Sequence, residues 1–297
     1  MIVELTPTKV QSVVQENTEL SIETISRLGT GFDFDTFLVN DEWVFRFPMT
    51  TSAADAMYEE HTVLNGLSLP TAIPDFEHWL DRPFGYPLPV SAYRLIRGLT
   101  LESLEFDSFE WSQLAADLGN TLQSLHVAGD DRTFFVEFSS DYLSPEFEEL
   151  VECDVIGLTA NEKSSVNQFV RNCHHYKTKS LSARIHGDLG VEHIITNGQR
   201  QLVGLIDWSN TAYGNKFKDF VGLWGWGGDK FTAQVLSNYE ESPRKYDWQY
   251  IRVNGLMYCF HRLKYVAASR QQDLSILRNR LRKRIAETSG MKPSDPP

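Results

Sequence analysis

Apolar positions recur with a short period over roughly the first hundred residues of this chain and with a helical period after that. Thr6 and Pro7 open a short helix over residues 6–17, where a hydroxyl cap and a proline at the first position suit a helix start. Ile22–Arg27, Phe34–Val39 and Trp43–Phe47 then read as strands, and Asn40-Asp41 between the last two makes a tight turn. Ala53, Met57, Leu64 and Leu67 mark the stripe of a helix, after which strand-like runs return at Ile73–Trp79 and Val90–Ile96. The pattern predicts a mostly antiparallel sheet carrying one helix.

From about residue 107 the period becomes helical. Trp111, Leu114, Ala115, Leu118, Leu122 and Leu125 keep register, as do Val166, Phe169, Val170 and Cys173; so do Phe217, Phe220, Val221 and Trp224, and finally Leu274, Leu277, Leu281 and Ile285. One hairpin interrupts them, His193–Thr196 and Leu202–Asp207 around Asn197-Gly198. The chain of 297 residues exceeds one ordinary core, so two lobes are expected, 1–98 and 99–297, joined through Gly98 to Asp107. The tail MKPSDPP, from about 289 to 297, reads as disordered.

Composition narrows the function classes. An apolar fraction of 41% without biased tracts describes a globular chain, and no segment reaches the apolar length of a membrane span. MIVELTPTKV lacks a basic leader with an apolar stretch behind it, so a cytoplasmic protein with no membrane partner is expected. Cys153, Cys173 and Cys259 lie far apart in no metal-ligand spacing and read as buried thiols. A formal charge of -12 argues against a nucleic-acid partner and would suit a cationic ligand, although solubility alone explains it.

The chemistry concentrates in Ile185-His186-Gly187-Asp188-Leu189-Gly190-Val191-Glu192-His193 and, after the hairpin, Leu205-Ile206-Asp207-Trp208. Phosphoryl transfer needs one carboxylate to accept the proton of an attacking hydroxyl and another to hold a divalent ion against phosphates, and Asp188 and Asp207 can divide those roles. A two-residue Asn197-Gly198 turn would leave Asp207 roughly 16 Å along the strand from the His193 level, whereas a loop over residues 197–201 brings it within about 7 Å on the same face. The longer loop is therefore predicted.

Nearer the start, Leu28-Gly29-Thr30-Gly31-Phe32-Asp33 lies between two strands, and glycine backbone there can approach phosphates; a plain hairpin turn reads nearly as well. Trp43–Pro48 alternates so that Val44, Arg46 and Pro48 share a face. Glu60 falls on the apolar stripe of the helix that follows, and a charge on such a face needs a counterion. An Arg46–Glu60 ion pair satisfies both positions.

H-G-D-L, a ligating side chain five residues after the Asp, a hairpin and I-D-W together resemble the aminoglycoside phosphotransferase superfamily, which includes macrolide and choline kinases. The resemblance implies an α+β, protein-kinase-like two-lobed fold with a small antiparallel-sheet N-lobe and a larger, mostly helical C-lobe. It implies Asp188 as catalytic base, Asp207 as main magnesium ligand, and His193 where most members have Asn; an imidazole there would bind through water or favour manganese. It makes Gly29, Gly31, Arg46 and Glu60 nucleotide-binding, with Arg46 in place of the usual Lys, and Tyr93 and Ile96 part of a hinge meeting the nucleobase of ATP or GTP. Lys218-Asp219-Phe220 resembles a segment that steadies the catalytic loop, as His186 would by hydrogen bonding. The acceptor pocket would lie among Trp224, Trp226, Asp229, Glu240, Glu241, Tyr246, Asp247, Trp248, Tyr250 and Tyr258. The implied activity is transfer of a γ-phosphate to a hydroxyl of a small molecule, an aminoglycoside slightly ahead of a macrolide. The rivals are a choline- or homoserine-type metabolic kinase and a non-catalytic binding protein of the same fold.

Overall fold

The computed structural model describes all residues but 1–4, 32, 107–109, 128–132, 139–143, 174, 241, 270–273 and 296. The chain divides into two compact units: Met1–Gly98 with Val203–Thr211, and Leu99–Leu202 with Ala212–Pro297. Val203–Thr211, which the sequence pattern puts with the helical part, thus groups with the first unit.

The first unit opens on α1 (Pro7–Asn17), where the Thr6 hydroxyl accepts the Lys9 N–H at 3.2 Å. Its sheet holds β1 (Ile25–Thr30), β2 (Phe34–Val39), β3 (Trp43–Pro48), β4 (His78–Leu80) and β5 (Val90–Arg94), all antiparallel, in the order β1-β2-β3-β5-β4. Asn40 and Asp41 both adopt positive φ, 56° and 51°, as a two-residue hairpin turn requires. The Asn40 side chain also accepts the N–H groups of Glu23 and Thr24 and donates to the Ser21 carbonyl. That claim on the backbone is why β1 starts at Ile25 rather than Ile22. The run predicted over Ile73–Trp79 shrinks to the three residues of β4; Pro74 offers no N–H there, and neighbouring Ala72 bridges in parallel to Gly204.

Alternation along β3 splits the unit into two packed faces. Trp43, Phe45 and Phe47 join Val10, Val13, Val14, Phe37 and Val90 in a core under α1, each fully buried Phe or Val contributing about 1.5–3 kcal/mol by transfer from water. α2 (Thr51–Leu64), capped by Thr50, turns Ala53, Ala54, Met57, Glu60 and Leu64 inward.

The second unit contains β6 (Leu99–Thr100), α3 (Ser112–Val127), β7 (Thr133–Phe138), α4 (Ser144–Glu152), α5 (Ala160–Arg171), β8 (Tyr176–Leu181), β9 (Ala183–Ile185), β10 (Ile194–Thr196), the first residue of β11 (Leu202–Leu205), β12 (Ala212–Gly214), α6 (Val221–Leu236), α7 (Lys245–Ser269) and α8 (Leu274–Thr288). Besides the expected helices it has strand pairs β7 with β8 and β9 with β12, which the helical period around them conceals. The loop between β10 and β11 spans residues 197–201 as predicted, closed by the Asn197 N–H on the Gln201 carbonyl at 3.1 Å, and its left-handed residue is Arg200, not Gly198. α3 lies close against the end of α6, where a Cβ at Gly119 would stand 2.6 Å from the Val235 carbonyl oxygen.

The expectation of a disordered tail is overturned. Pro293 and Ser294 are buried, and the fully buried Arg252 donates to the carbonyls of Pro293, at 2.9 Å, and Asp295. Its other nitrogens hold Asp229 at 2.6 and 2.9 Å. A buried guanidinium needs acceptors on every side, and the tail supplies two. Among the described residues no helix is long and apolar enough to cross a membrane.

Candidate active site

The first unit buries one cation among carboxylates. Arg46 projects from β3 toward α2, 5% exposed, and its Nη1 stands 2.7 Å from Oε2 of Glu60, which is wholly buried. The ion pair expected between strand and helix is therefore present. The Arg46 guanidinium lies 4.1 Å from the centre of the Phe34 ring, and its Nη2 is 3.7 Å from Oδ1 of Asp207. Glu60 Oε1 accepts the backbone N–H of Trp208 at 3.2 Å. Burial alone would lower the Arg46 pKa, but Glu60 and Asp207 outweigh it and keep the guanidinium firmly charged. Burial pushes the Glu60 carboxyl up, with Arg46 and the Trp208 N–H pulling the other way.

Asp207 sits just past β11 with φ of 64°, a left-handed conformation that aspartate tolerates better than most residues. The carboxylate stays 44% exposed and accepts from the Ser209 hydroxyl at 3.1 Å. Gly204, earlier on β11, has no room for a side chain: a Cβ would stand 2.7 Å from Ile96 Cγ2 and 2.9 Å from the Ala72 carbonyl. Ile96 thus packs over β11, two residues beyond the end of β5. The Tyr93 side chain belongs to the core, edge-on to Phe76, and its hydroxyl is pushed up in pKa mainly by burial. Gly29 lies within β1 opposite Thr36, with nothing within 4 Å of a hypothetical Cβ, and the Gly31 N–H closes a turn on the Phe34 carbonyl at 2.9 Å. Phe32 lies outside the described residues.

In the second unit the loop after β9 is fixed by one buried carboxylate. Asp219, at 0% exposure, accepts the His186 N–H at 2.8 Å, the Gly187 N–H at 2.9 Å and Nε2 of His126 at 3.1 Å. Burial would raise its pKa, but the hydrogen bond and charge of His126, the interaction with His186 and the Gly187 N–H win, holding it below the usual aspartate value. Gly187 adopts φ of 85°. Asp188, next in the chain, is exposed, and its N–H points at His186 Nδ1 at a long 3.4 Å. His193 Nδ1 stands 2.8 Å from the Asp188 carbonyl oxygen. A carbonyl only accepts, so Nδ1 carries a proton. α6 presses on this loop through Gly222, where a Cβ would collide with the Leu189 carbonyl oxygen.

The profile of the phosphotransferase enzyme family, APH, matches residues 24–253, most of the chain. The chain belongs to the phosphotransferase enzyme family. A curated relative is the uncharacterized protein YcbJ of Bacillus subtilis (strain 168), 22% identical over 236 residues that cover 72% of this chain and 74% of that protein. Among solved structures, the GDP and kanamycin complex of APH(2")-IIia superposes with a TM-score of 0.67 at 21% identity, over 95% of this chain and 99% of that one. Macrolide 2'-phosphotransferase type I superposes at 0.56 and 15% identity, over 98% and 100%. At such identities the likeness is one of fold: the mixed α+β, kinase-like architecture of an antiparallel sheet followed by a helical part.

Most of this phosphotransferase's predicted acceptor residues are engaged elsewhere. Trp224, Trp226 and Trp248 are buried. Asp229 is held by Arg252 and the Trp224 indole, Asp247 by Arg244, and Tyr258 donates to Glu192 at 2.6 Å. Burial works to raise the Glu192 pKa, but His193, Arg262 and the Tyr258 hydroxyl hold it low. Tyr246 and Tyr250 are half-buried and Glu240 is exposed; Glu241 and Asp107 lie outside the described residues.

Among the described residues no group of three or more His, Cys, Asp or Glu would hold a metal unaided. Magnesium keeps waters and is bound through one or two carboxylates together with substrate phosphates. The half-exposed Asp207 carboxylate is of the kind that serves it. Sequence reasoning missed His126. It follows Leu122 by four residues on the buried stripe of α3, the same placement of a titratable group on an apolar face that singled out Glu60.

Proposed function

We propose that this phosphotransferase uses a nucleoside triphosphate to phosphorylate a hydroxyl of a small molecule, with an aminoglycoside as the favoured acceptor class. The reading is carried by the first unit's charged group: a buried Arg46 fixed by Glu60, with the Asp207 carboxylate 3.7 Å away and half exposed. A guanidinium locked in one orientation is ready to meet phosphate oxygens, and burial strengthens that attraction. Asp207 would hold the divalent ion, with His193 as its second protein donor; when bound, the ion would neutralise charge on the phosphates. Asp188 takes the proton of the acceptor hydroxyl, on a loop whose preceding two N–H groups are pinned by Asp219. Gly29 and Gly31 leave backbone clear for the phosphates, and the segment from Tyr93 to Ile96 meets the nucleobase through its backbone. A cytoplasmic location accords with cytosolic nucleotide.

The net charge of -12 favours a polycationic acceptor, and kanamycin in the APH(2")-IIia complex is of that class. The test is a phosphate-transfer screen: purified protein, ATP or GTP, magnesium or manganese, and panels of aminoglycosides, macrolides and small alcohols such as choline. Turnover of an aminoglycoside is expected. Turnover confined to macrolides or to small alcohols would replace the acceptor class, and absence of both turnover and nucleotide binding would leave a silent binding protein.

A further inference from the structure

α8 divides its cations between two faces. Arg278 and Arg282 are tied across the second unit, Arg278 to the Val155 carbonyl at 2.9 Å and Arg282 to Glu162 at 3.1 Å. Arg280, Lys283 and Arg284 share another stripe with Ile276, at the i, i+4, i+7 and i+8 spacing of one helix face. That stripe borders a cavity of about 50 Å³, room for roughly three to five waters, whose other wall includes Phe106, after β6, and Trp226, on α6. The two rings meet edge-on with centres 5.3 Å apart, and the Trp226 indole N–H is spent on the Leu104 carbonyl at 2.8 Å. This wall therefore offers ring carbon rather than a donor.

The cations of this stripe exceed the carboxylates that could answer them. Arg280 is 8% exposed, and its acceptors among the described residues are two carbonyls, Glu102 at 3.1 Å and Leu104 at 3.4 Å, for a guanidinium with five N–H groups. Arg284 is 7% exposed; its Nε stands 3.1 Å from Glu287 Oε2 without a hydrogen bond, and Glu287 also takes the Asp229 N–H at 2.9 Å. Burial outweighs Glu287 and lowers the Arg284 pKa, the mark of a cation short of negative charge. Lys283 is exposed at the mouth, and Glu105 is the one carboxylate on the lining. A buried charge in that position is satisfied when a ligand brings the counterion.

We propose that this cavity binds a small organic anion, whose carboxylate or phosphate group sits on Arg280 and Lys283 and whose apolar part lies against Phe106, Trp226 and Ile276. A planar guanidinium takes such an oxyanion through parallel N–H bonds, and the lysine adds a point charge at the mouth. A polycation would be repelled here, so this ligand is additional to the acceptor proposed above. The site stands whether or not the chain transfers phosphate.

Benzoate and phenyl phosphate are the probes, with benzyl alcohol as the neutral counterpart and sulfate as an anion without a ring. The full chain is titrated while the Trp226 indole N–H, assigned through Trp226→Phe, is followed in proton–nitrogen correlation spectra. A saturable shift of that resonance at about millimolar benzoate or phenyl phosphate is expected, and the tighter of the two names the head group. Benzyl alcohol leaves the resonance in place, and sulfate binds at least about ten-fold more weakly than the better probe, since the ring wall adds nothing to it. Arg280→Met weakens binding by about ten-fold or more, as the loss of a charge-assisted hydrogen bond requires. Lys283→Glu, at an exposed position where folding is not at stake, weakens it comparably and decides the matter if the methionine variant does not fold. Absence of saturation by about 10 mM, shifts spread evenly over all the indoles, benzyl alcohol or sulfate matching the better probe, or full affinity in Lys283→Glu would each overturn the site.

Discussion

Glu60→Gln isolates the electrostatics of the first unit, because it preserves volume and leaves no cavity. Glu60 is wholly buried, takes Arg46 Nη1 on one oxygen at 2.7 Å and the Trp208 N–H on the other at 3.2 Å. A glutamine has one oxygen for two donors, so its NH₂ must face either the guanidinium or the Trp208 N–H. Removing one member of a buried pair costs about 3–5 kcal/mol, mostly the penalty of stranding the other charge. Here Asp207 remains 3.7 Å from Nη2 and the Phe34 ring remains under the guanidinium, so the lower end, about 3 kcal/mol, is expected. With a urea m-value of about 1–3 kcal/mol/M, the range for small domains, the midpoint of the first unit falls by about 1 M or more. Hydrogen exchange of the β3 amides under rising urea reads that unit without assuming that both units melt together. The double variant Arg46→Met, Glu60→Leu should recover to within about 1 kcal/mol of wild type, since an apolar pair of similar volume needs no counterion. A Glu60→Gln midpoint within about 0.2 M of wild type would refute the reasoning, for it would mean the pair carries no buried charge to strand.

Other outcomes follow from the same geometry. Asp188→Asn should abolish turnover with nucleotide affinity largely intact, and Asp207→Asn should also weaken metal-dependent nucleotide binding; isothermal titration beside steady-state kinetics separates the two, and near-normal rates in the Asp188 variant would cancel its role. Gly222→Ala forces α6 away from the Leu189 carbonyl and should cost about 1–3 kcal/mol in thermal or urea unfolding while slowing turnover. Because Asp219 has a lowered pKa in the folded chain, it contributes stability at pH above the ordinary aspartate value near 4, and that contribution is lost as pH falls through and below it. Asp219→Asn should accordingly flatten the loss of stability as pH falls below the ordinary aspartate value near 4, and an unchanged slope in acid unfolding would contradict the shift.

Legibility in the sequence depended on whether a residue's partners are near in period or far in sequence. Glu60 was readable because a carboxylate on an apolar stripe is itself a contradiction that a counterion resolves, and alternation along β3 supplied Arg46. His126 poses the same contradiction on α3 but is a weaker one, since a neutral histidine tolerates burial. The 197–201 loop was readable from the need to bring Asp207 back to the level of His193. The start of β1 was not, because it is decided by the Asn40 side chain, which reaches 16 and 17 residues back to bind Thr24 and Glu23. The tail read as disordered for a similar reason: MKPSDPP has no apolar period, and its order comes from Arg252, 41 residues before Pro293. The β7–β8 and β9–β12 pairs join segments far apart in the chain, and no local window contains both partners.

Glu60 and Trp208 are bonded across 148 positions of sequence. A ribosome that has delivered the five-stranded sheet and α2 has therefore not yet delivered the peptide that occupies the second oxygen of that glutamate. Until Val203–Thr211 emerges, the sheet waits with its central carboxylate half satisfied, so expressing residues 1–98 alone should yield a poorly packed fragment. A segment covering residues 203–211, added in trans, should tighten it.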